Sequence, residues 1–254
     1  MPLKIARNHG LCYDPVEVAR RPLPGTRPLG TAPWLTVRDD YADQMVERVR
    51  LLTRQRDAVL ALHPEGRPAA DELLAQVIPA LSPDLGFTRT ADTIRCPDGR
   101  NVAIDPTDPL GTLGLLLQSD ICLMQKQGDD HVLVGAVLCF PSAWTLSEKI
   151  GRPLPRIHAP VPTYGPVARR VQRLFDGIQV DRPLWRANLL AHPTDALFQP
   201  RPEATSGISE TAPARFHRSE RQVIWRLPRT RDVVFAIETR IWPIGHPPEI
   251  AAPT

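Results

Sequence analysis

The spacing of hydrophobic positions changes several times along the chain, and each change marks an element. Behind Asp39 and Asp40, whose charge suits a helix N-terminus, Tyr41, Met45, Val49 and Leu52 recur at helical spacing. This predicts an amphipathic helix ending near Leu62, ahead of Pro64. A shorter helix is expected over 70–81, with Leu73, Leu74, Val77 and Ile78 on one face and Pro79 close to its end. From Leu113 the pattern changes. Residues 115–124 and 132–140 are apolar runs rich in Val, Ile and Leu, and Gly128-Asp129-Asp130 between them reads as the turn of a β-hairpin. Trp144 to Lys149 reads as a short helical or turn segment. The prolines between Arg152 and Pro162 remove backbone donors, so regular structure is expected to stop there. Tyr164, Val167, Val171, Leu174, Phe175 and Ile178 restore the helical repeat, predicting a helix from near Pro162 to near Gly177.

Residues 184–191 read as a strand, on which Arg186 and Asn188 share a face because side chains alternate with period two. Residues 194–214 mix Pro, Ser, Thr, Gly and charge without periodicity, as a flexible loop or a functional lid does. Two more strands are expected over 220–227 and 232–241, joined through Pro228-Arg229-Thr230-Arg231. At least five strands, most simply antiparallel, with separate helices make the class α+β. Pro15, Pro22, Pro24, Pro28 and Pro33 keep residues 1–38 from forming a long helix or a central strand. The expected organisation is a proline-rich N-terminal arm over 1–38 packed on the domain, one domain over 39–242, and a solvated tail over 243–254.

Composition adds bounds. A chain of 254 residues, 42% hydrophobic and 23% charged, fits one globular domain able to bury a core without disulfide or metal staples. The net charge of +3 is small and its sources are interleaved, so nucleic acid is not implied. The excess of Arg over Lys points to fixed carboxylate or phosphate partners. No apolar run reaches the ~18 residues that span a bilayer, and the N-terminus lacks a signal-peptide pattern, so a cytoplasmic location is expected. Cys12, Cys96, Cys122 and Cys139 are scattered, without the C-x-x-C spacing of zinc or iron–sulfur sites, and are expected to be buried or idle. The glycine-rich nucleotide loops, H-E-x-x-H and G-x-S-x-G are all missing from the sequence.

Three groups carry candidate chemistry. His158 is followed by Pro160 and Pro162, which hold the backbone extended and suit a metal ligand, although the same position suits a helix cap or loop packing. Arg218-Ser219-Glu220-Arg221-Gln222 is either a solvated salt-bridge edge or a site in which Arg218 or Arg221 binds an anion while Glu220 handles protons. Arg186 and Asn188 are either a solvent-facing edge or a pair aimed into a pocket. The remaining histidines, His131 among them, receive no role.

The run Phe140-Pro141-Ser142-Ala143-Trp144, then Glu148-Lys149-Ile150-Gly151, then Ile157-His158-Ala159-Pro160-Val161-Pro162 resembles the central signature of the haem-dependent oxidative N-demethylase family. Arg186-Ala187-Asn188 is similar to that family's Arg-x-Asn strand, and Arg218 to Gln222 with Arg226-Leu227-Pro228 to its Arg-x-Glu-Arg-Gln segment and following turn. Asp39-Asp40-Tyr41 and Gln118-Ser119-Asp120 extend the similarity from about Trp34 to Trp242. The chain departs from the pattern at Leu189, where a Trp is common, and at Glu238, where a basic residue is usual.

The resemblance implies a PAS-like antiparallel sheet flanked by helices and holding haem b. It also implies a partner reductase carrying flavin and an iron–sulfur cluster and fed by NADPH, and oxidation of a secondary methylamine by dioxygen to amine plus formaldehyde. Under it, His158 is the axial ligand, while Arg186, Asn188, Arg218 and Arg221 hold the cofactor or orient substrate. Glu220 and Tyr164 are the catalytic candidates. A haem-containing redox or gas sensor and a cofactor-free interaction protein on the same fold are the alternatives.

Overall fold

A computed structural model describes residues 2–159, 165–205 and 212–250. The N-terminal part contains β1 (Ile5–Asn8), α1 (Pro15–Ala19), β2 (Arg27–Pro28), β3 (Leu35–Arg38), α2 (Tyr41–Arg54), α3 (Arg56–Val59), β4 (Leu60–Leu62) and α4 (Arg67–Ala80). The middle contains β5 (Thr88–Arg89), β6 (Thr93–Arg95), β7 (Asn101–Ala103), α5 (Pro109–Leu116), β8 (Asp120–Gln127) and β9 (Asp130–Val137). Then follow α6 (Leu146–Lys149), α7 (Leu154–Ile157), α8 (Ala168–Gly177), β10 (Leu184–His192), β11 (Phe216–Arg226) and β12 (Val233–Pro243).

Among the described residues the largest sheet has seven strands in the order β2-β10-β11-β12-β8-β9-β4, and its pairings are antiparallel. Period-two alternation sorts its side chains into two cores. Val223, Trp225, Val234 and Ala236 project to one face and pack with Met45 of α2, Leu73 of α4 and Leu113 of α5. Ile224 and Ile237 project to the other and pack with Leu146 of α6, Leu154 of α7 and Phe175 of α8. The run Val233-Val234-Phe235-Ala236-Ile237 is apolar throughout because β12 has a helical layer on each side.

The β8–β9 hairpin forms around Gly128, whose φ of +60° belongs to the left-handed region that glycine adopts without steric cost. It starts later than its apolar pattern suggested. Asp108 caps a helix over Pro109–Leu116 by accepting from the Gly111 N–H, and the strand opens at Asp120. The first long helix ends at Arg54 rather than near Leu62, because Leu60–Leu62 pairs with Gly135–Val137 and completes the outer edge of the sheet. The meander of β5, β6 and β7 has no counterpart in the sequence reading.

Within residues 2–38, β3 is wholly buried and runs parallel to β1, and Val18 of α1 and the preceding Tyr13 pack over β10. β2 pairs only with Leu184 and Trp185 of β10, which suits Pro28 at a sheet edge. Past Pro243, Glu249 accepts a hydrogen bond from the Leu11 N–H. No helix among the described residues is long and apolar enough to cross a membrane.

Candidate functional site

In the register of β10 and β11, Arg186 stands opposite Gln222 and Asn188 opposite Glu220. Residues opposite one another in an antiparallel pair project to the same side. Arg186, Asn188, Arg218, Glu220 and Gln222 therefore share one face, the one that α6, α7 and α8 cover further along the sheet.

Glu220 is the centre of this group. Its Oε1 accepts from Arg218 Nε at 3.0 Å and its Oε2 from Asn188 Nδ2 at 2.9 Å, while Asn188 Oδ1 accepts from the Glu220 backbone N–H at 2.9 Å. Arg218, 0% exposed, also donates to the carbonyls of Phe140 and Leu197. The Phe140 N–H in turn donates to Asp120, which pairs with the buried Arg48 at 2.6 Å. Two buried ion pairs are thus linked through one backbone residue. The segment Arg218 to Gln222 is buried throughout, so the solvated-edge reading of it is corrected. Charges are tolerated there because each is paired and hydrogen-bonded.

Arg221 does not flank Glu220. It projects to the opposite face, pairs with Glu238 at 3.0 Å and donates to the carbonyls of Pro33 and Trp34. The strand's alternation separates Arg221 from Glu220 although the two are adjacent in sequence, and both Arg218 and Arg221 are committed inside the fold. Arg186 differs. Among the described residues its Nε is buried without a hydrogen-bond partner, and burial pushes its guanidinium below its ordinary pKa, an effect the Glu220 charge partly offsets.

His158 follows a helical turn, Leu154–Ile157, where the proline-dense sequence suggested irregular chain. Pro155 is accommodated because it lies in the first turn, where its missing N–H has no intrahelical acceptor. His158 Nδ1 lies 2.9 Å from the Leu154 carbonyl. A carbonyl only accepts, so Nδ1 carries the proton and the lone pair of the neutral ring is on Nε2. Burial is the main cause that pushes the His158 pKa down, and the positive charges of Lys149 and Arg186 add to it.

The turn is clamped from outside by Glu203, which accepts from Lys149 and from both terminal nitrogens of Arg156, while its backbone N–H donates to Glu148. These cations hold the Glu203 carboxyl down at about 2. Glu203 escaped the sequence reading because a single carboxylate in an aperiodic stretch carries no signal, whereas Gln222 was legible as the next residue on the face of Glu220. Tyr164 lies outside the described residues.

A groove along β10 is lined by residues 186–189 together with Val18, Ala19, Arg21 and Leu23. A family model described as haem-dependent oxidative N-demethylase, alpha subunit-like, matches residues 25–249. The chain belongs to this family. No curated protein matches it.

The residues present fit the haem that the family's description names. A metal-ligating imidazole characteristically donates its other N–H to a carbonyl or carboxylate, as His158 does to Leu154, and must be neutral to bind. An Arg with an unmatched buried N–H suits a carboxylate such as a haem propionate. The two departures from the family pattern leave this face intact. Glu238 projects to the opposite face, where it pairs with Arg221 and accepts from the Thr36 N–H. Leu189 packs against the cluster of Leu11, Tyr13, Val18 and Trp242.

Proposed function

We propose that this chain is the haem-binding oxygenase subunit of a system that oxidatively demethylates a secondary methylamine. Electrons come from a separate reductase carrying flavin and an iron–sulfur cluster and fed by NADPH. The observation that carries the reading is the pairing of Arg186 on β10, with an unmatched buried N–H, and His158 after α7, whose ring feels the Arg186 charge and whose lone pair is set on Nε2. The family assignment supports it.

Haem b, when bound, supplies the activation of dioxygen, and the balanced reaction converts methylamine, dioxygen, two electrons and two protons into amine, formaldehyde and water. His158 Nε2 would be the nitrogen that ligates the haem iron, with the ring held by the Leu154 carbonyl. Arg186 would offer its guanidinium fork to a carboxylate of the haem. A secondary amine arrives as an ammonium ion, so Glu220 has two tasks, to attract that charge and to accept its proton. Asn188 and Arg218 fix both oxygens of the carboxylate for this work.

The test is amine-dependent release of formaldehyde by the haem-loaded chain when a flavin and iron–sulfur reductase supplies electrons. Formaldehyde stoichiometric with reductant consumed supports the reading. Reductant oxidation that no secondary methylamine stimulates contradicts it.

A further inference from the structure

The helix α8 carries Arg169, Arg170 and Arg173 on its outer side, while Val171, Leu174 and Phe175 face the core. All three arginines are exposed, and among the described residues none has an ion-pair partner. Asp176, the carboxylate of α8 itself, is taken by Lys126 at 2.7 Å. The helix thus carries three arginines and one carboxylate, and that carboxylate is paired with a lysine of β8.

The arrangement disfavours the helix that bears it. Arg169 and Arg173 are four residues apart and Arg170 and Arg173 three, spacings at which like charges repel. Arg169 and Arg170 also sit in the first turn, where the helix dipole favours anions, and α8 has neither a capping side chain nor an acidic residue there. Packing of Val171, Leu174 and Phe175 holds the helix in place, and among the described residues no carboxylate pairs with the three arginines, so their charge is open to an external anion.

Position selects the anion. α8 packs against α7, the turn that ends in His158. We infer that the Arg169, Arg170 and Arg173 face of α8 is the docking surface for an acidic face of the electron-donating protein, seated beside the ligand-bearing turn. This rests on the reading of the chain as a haem subunit with a separate reductase. Charge of this kind raises the encounter rate and makes it salt-dependent. A protein donor is favoured over a polyanion because the arginines cluster on one short helix next to α7, and electrons cross only short distances.

The test uses a small acidic [2Fe–2S] ferredoxin as probe donor, with wild-type protein and an Arg169→Glu/Arg170→Glu/Arg173→Glu variant, both full-length and haem-loaded. Binding is measured by titration, and haem reduction by stopped flow with the ferredoxin and separately with dithionite. The expected result is a tenfold or greater loss of ferredoxin affinity and of ferredoxin-driven reduction in the variant, with wild-type binding weakening steeply between 50 and 200 mM salt, as charge-steered association does on the order of one Debye length. Dithionite reduction, Soret band and thermal midpoint should not fall.

Equal ferredoxin binding by both proteins overturns the inference. So does tighter binding of duplex DNA or of phosphatidylserine vesicles through the same arginines. A wild type without a Soret band sinks the haem reading instead, and the titration of the colourless protein still decides the docking surface.

Discussion

Arg218 Nε stands 3.0 Å from Glu220 Oε1, two residues along the same strand, with both side chains buried. The same guanidinium holds the carbonyls of Phe140 and Leu197, so one side chain joins β11 to the β9–α6 connection and to the loop that follows β10. Arg218→Met keeps the length and removes the charge. It leaves Glu220 without its counter-ion and two carbonyls without donors. The expected loss is about 3–5 kcal/mol in urea unfolding. A loss below ~1 kcal/mol is the behaviour of a solvated pair and would remove Arg218 from this role.

Glu220→Gln tests the chemistry of the same pair. The amide keeps the shape, so haem occupancy should match wild type, while the group that attracts the ammonium and takes its proton is gone. Amine-dependent reductant oxidation per haem is expected to fall tenfold or more, because a positioned acid–base group contributes roughly 10²–10⁴ in rate. Wild-type turnover in the variant assigns Glu220 to structure alone.

Asp232 makes a prediction about pH. Burial and the neighbouring Glu72 charge raise its pKa to about 6, although Gln125 and Arg226 pull the other way. In the unfolded chain an Asp titrates near ~3.9. Between those values the folded protein keeps a proton that the unfolded chain has lost, so this residue makes stability decline as pH rises from about 4 to about 6. Asp232→Asn should flatten that decline in melting temperature. Parallel curves for the two proteins would show that Asp232 does not titrate in this window.

Much of the fold is legible from spacing. The strands β8 to β12, the helices α2, α4 and α8 and the Gly128 turn follow from period two, period 3.6 and left-handed backbone. Arg186 and Asn188 share a face for the same reason. That Arg221 turns away from Glu220 was also legible from alternation, and it was obscured by reading the charges as a cluster along the sequence rather than across the strand. What spacing does not carry is which loop meets which strand. The contacts of Glu203 with Lys149 and Arg156, and of Arg218 with Phe140, join residues 47 to 78 positions apart. The small β5–β7 meander is too short to impose a pattern. The turn of α7 was hidden because proline is permitted at the start of a helix and forbidden inside one.

The absorption spectrum of haem-reconstituted wild type, read beside His158→Ala and His131→Ala, decides whether His158 holds haem in this chain. His131 is buried against Phe175 on Gln172 and should serve only stability. Wild type and His131→Ala should show a Soret band at about one haem per chain, while His158→Ala should lose haem or change its ligand field. A folded wild type that stays colourless would show that the chain holds no haem, and a His158→Ala spectrum identical to wild type would show that His158 is not its ligand.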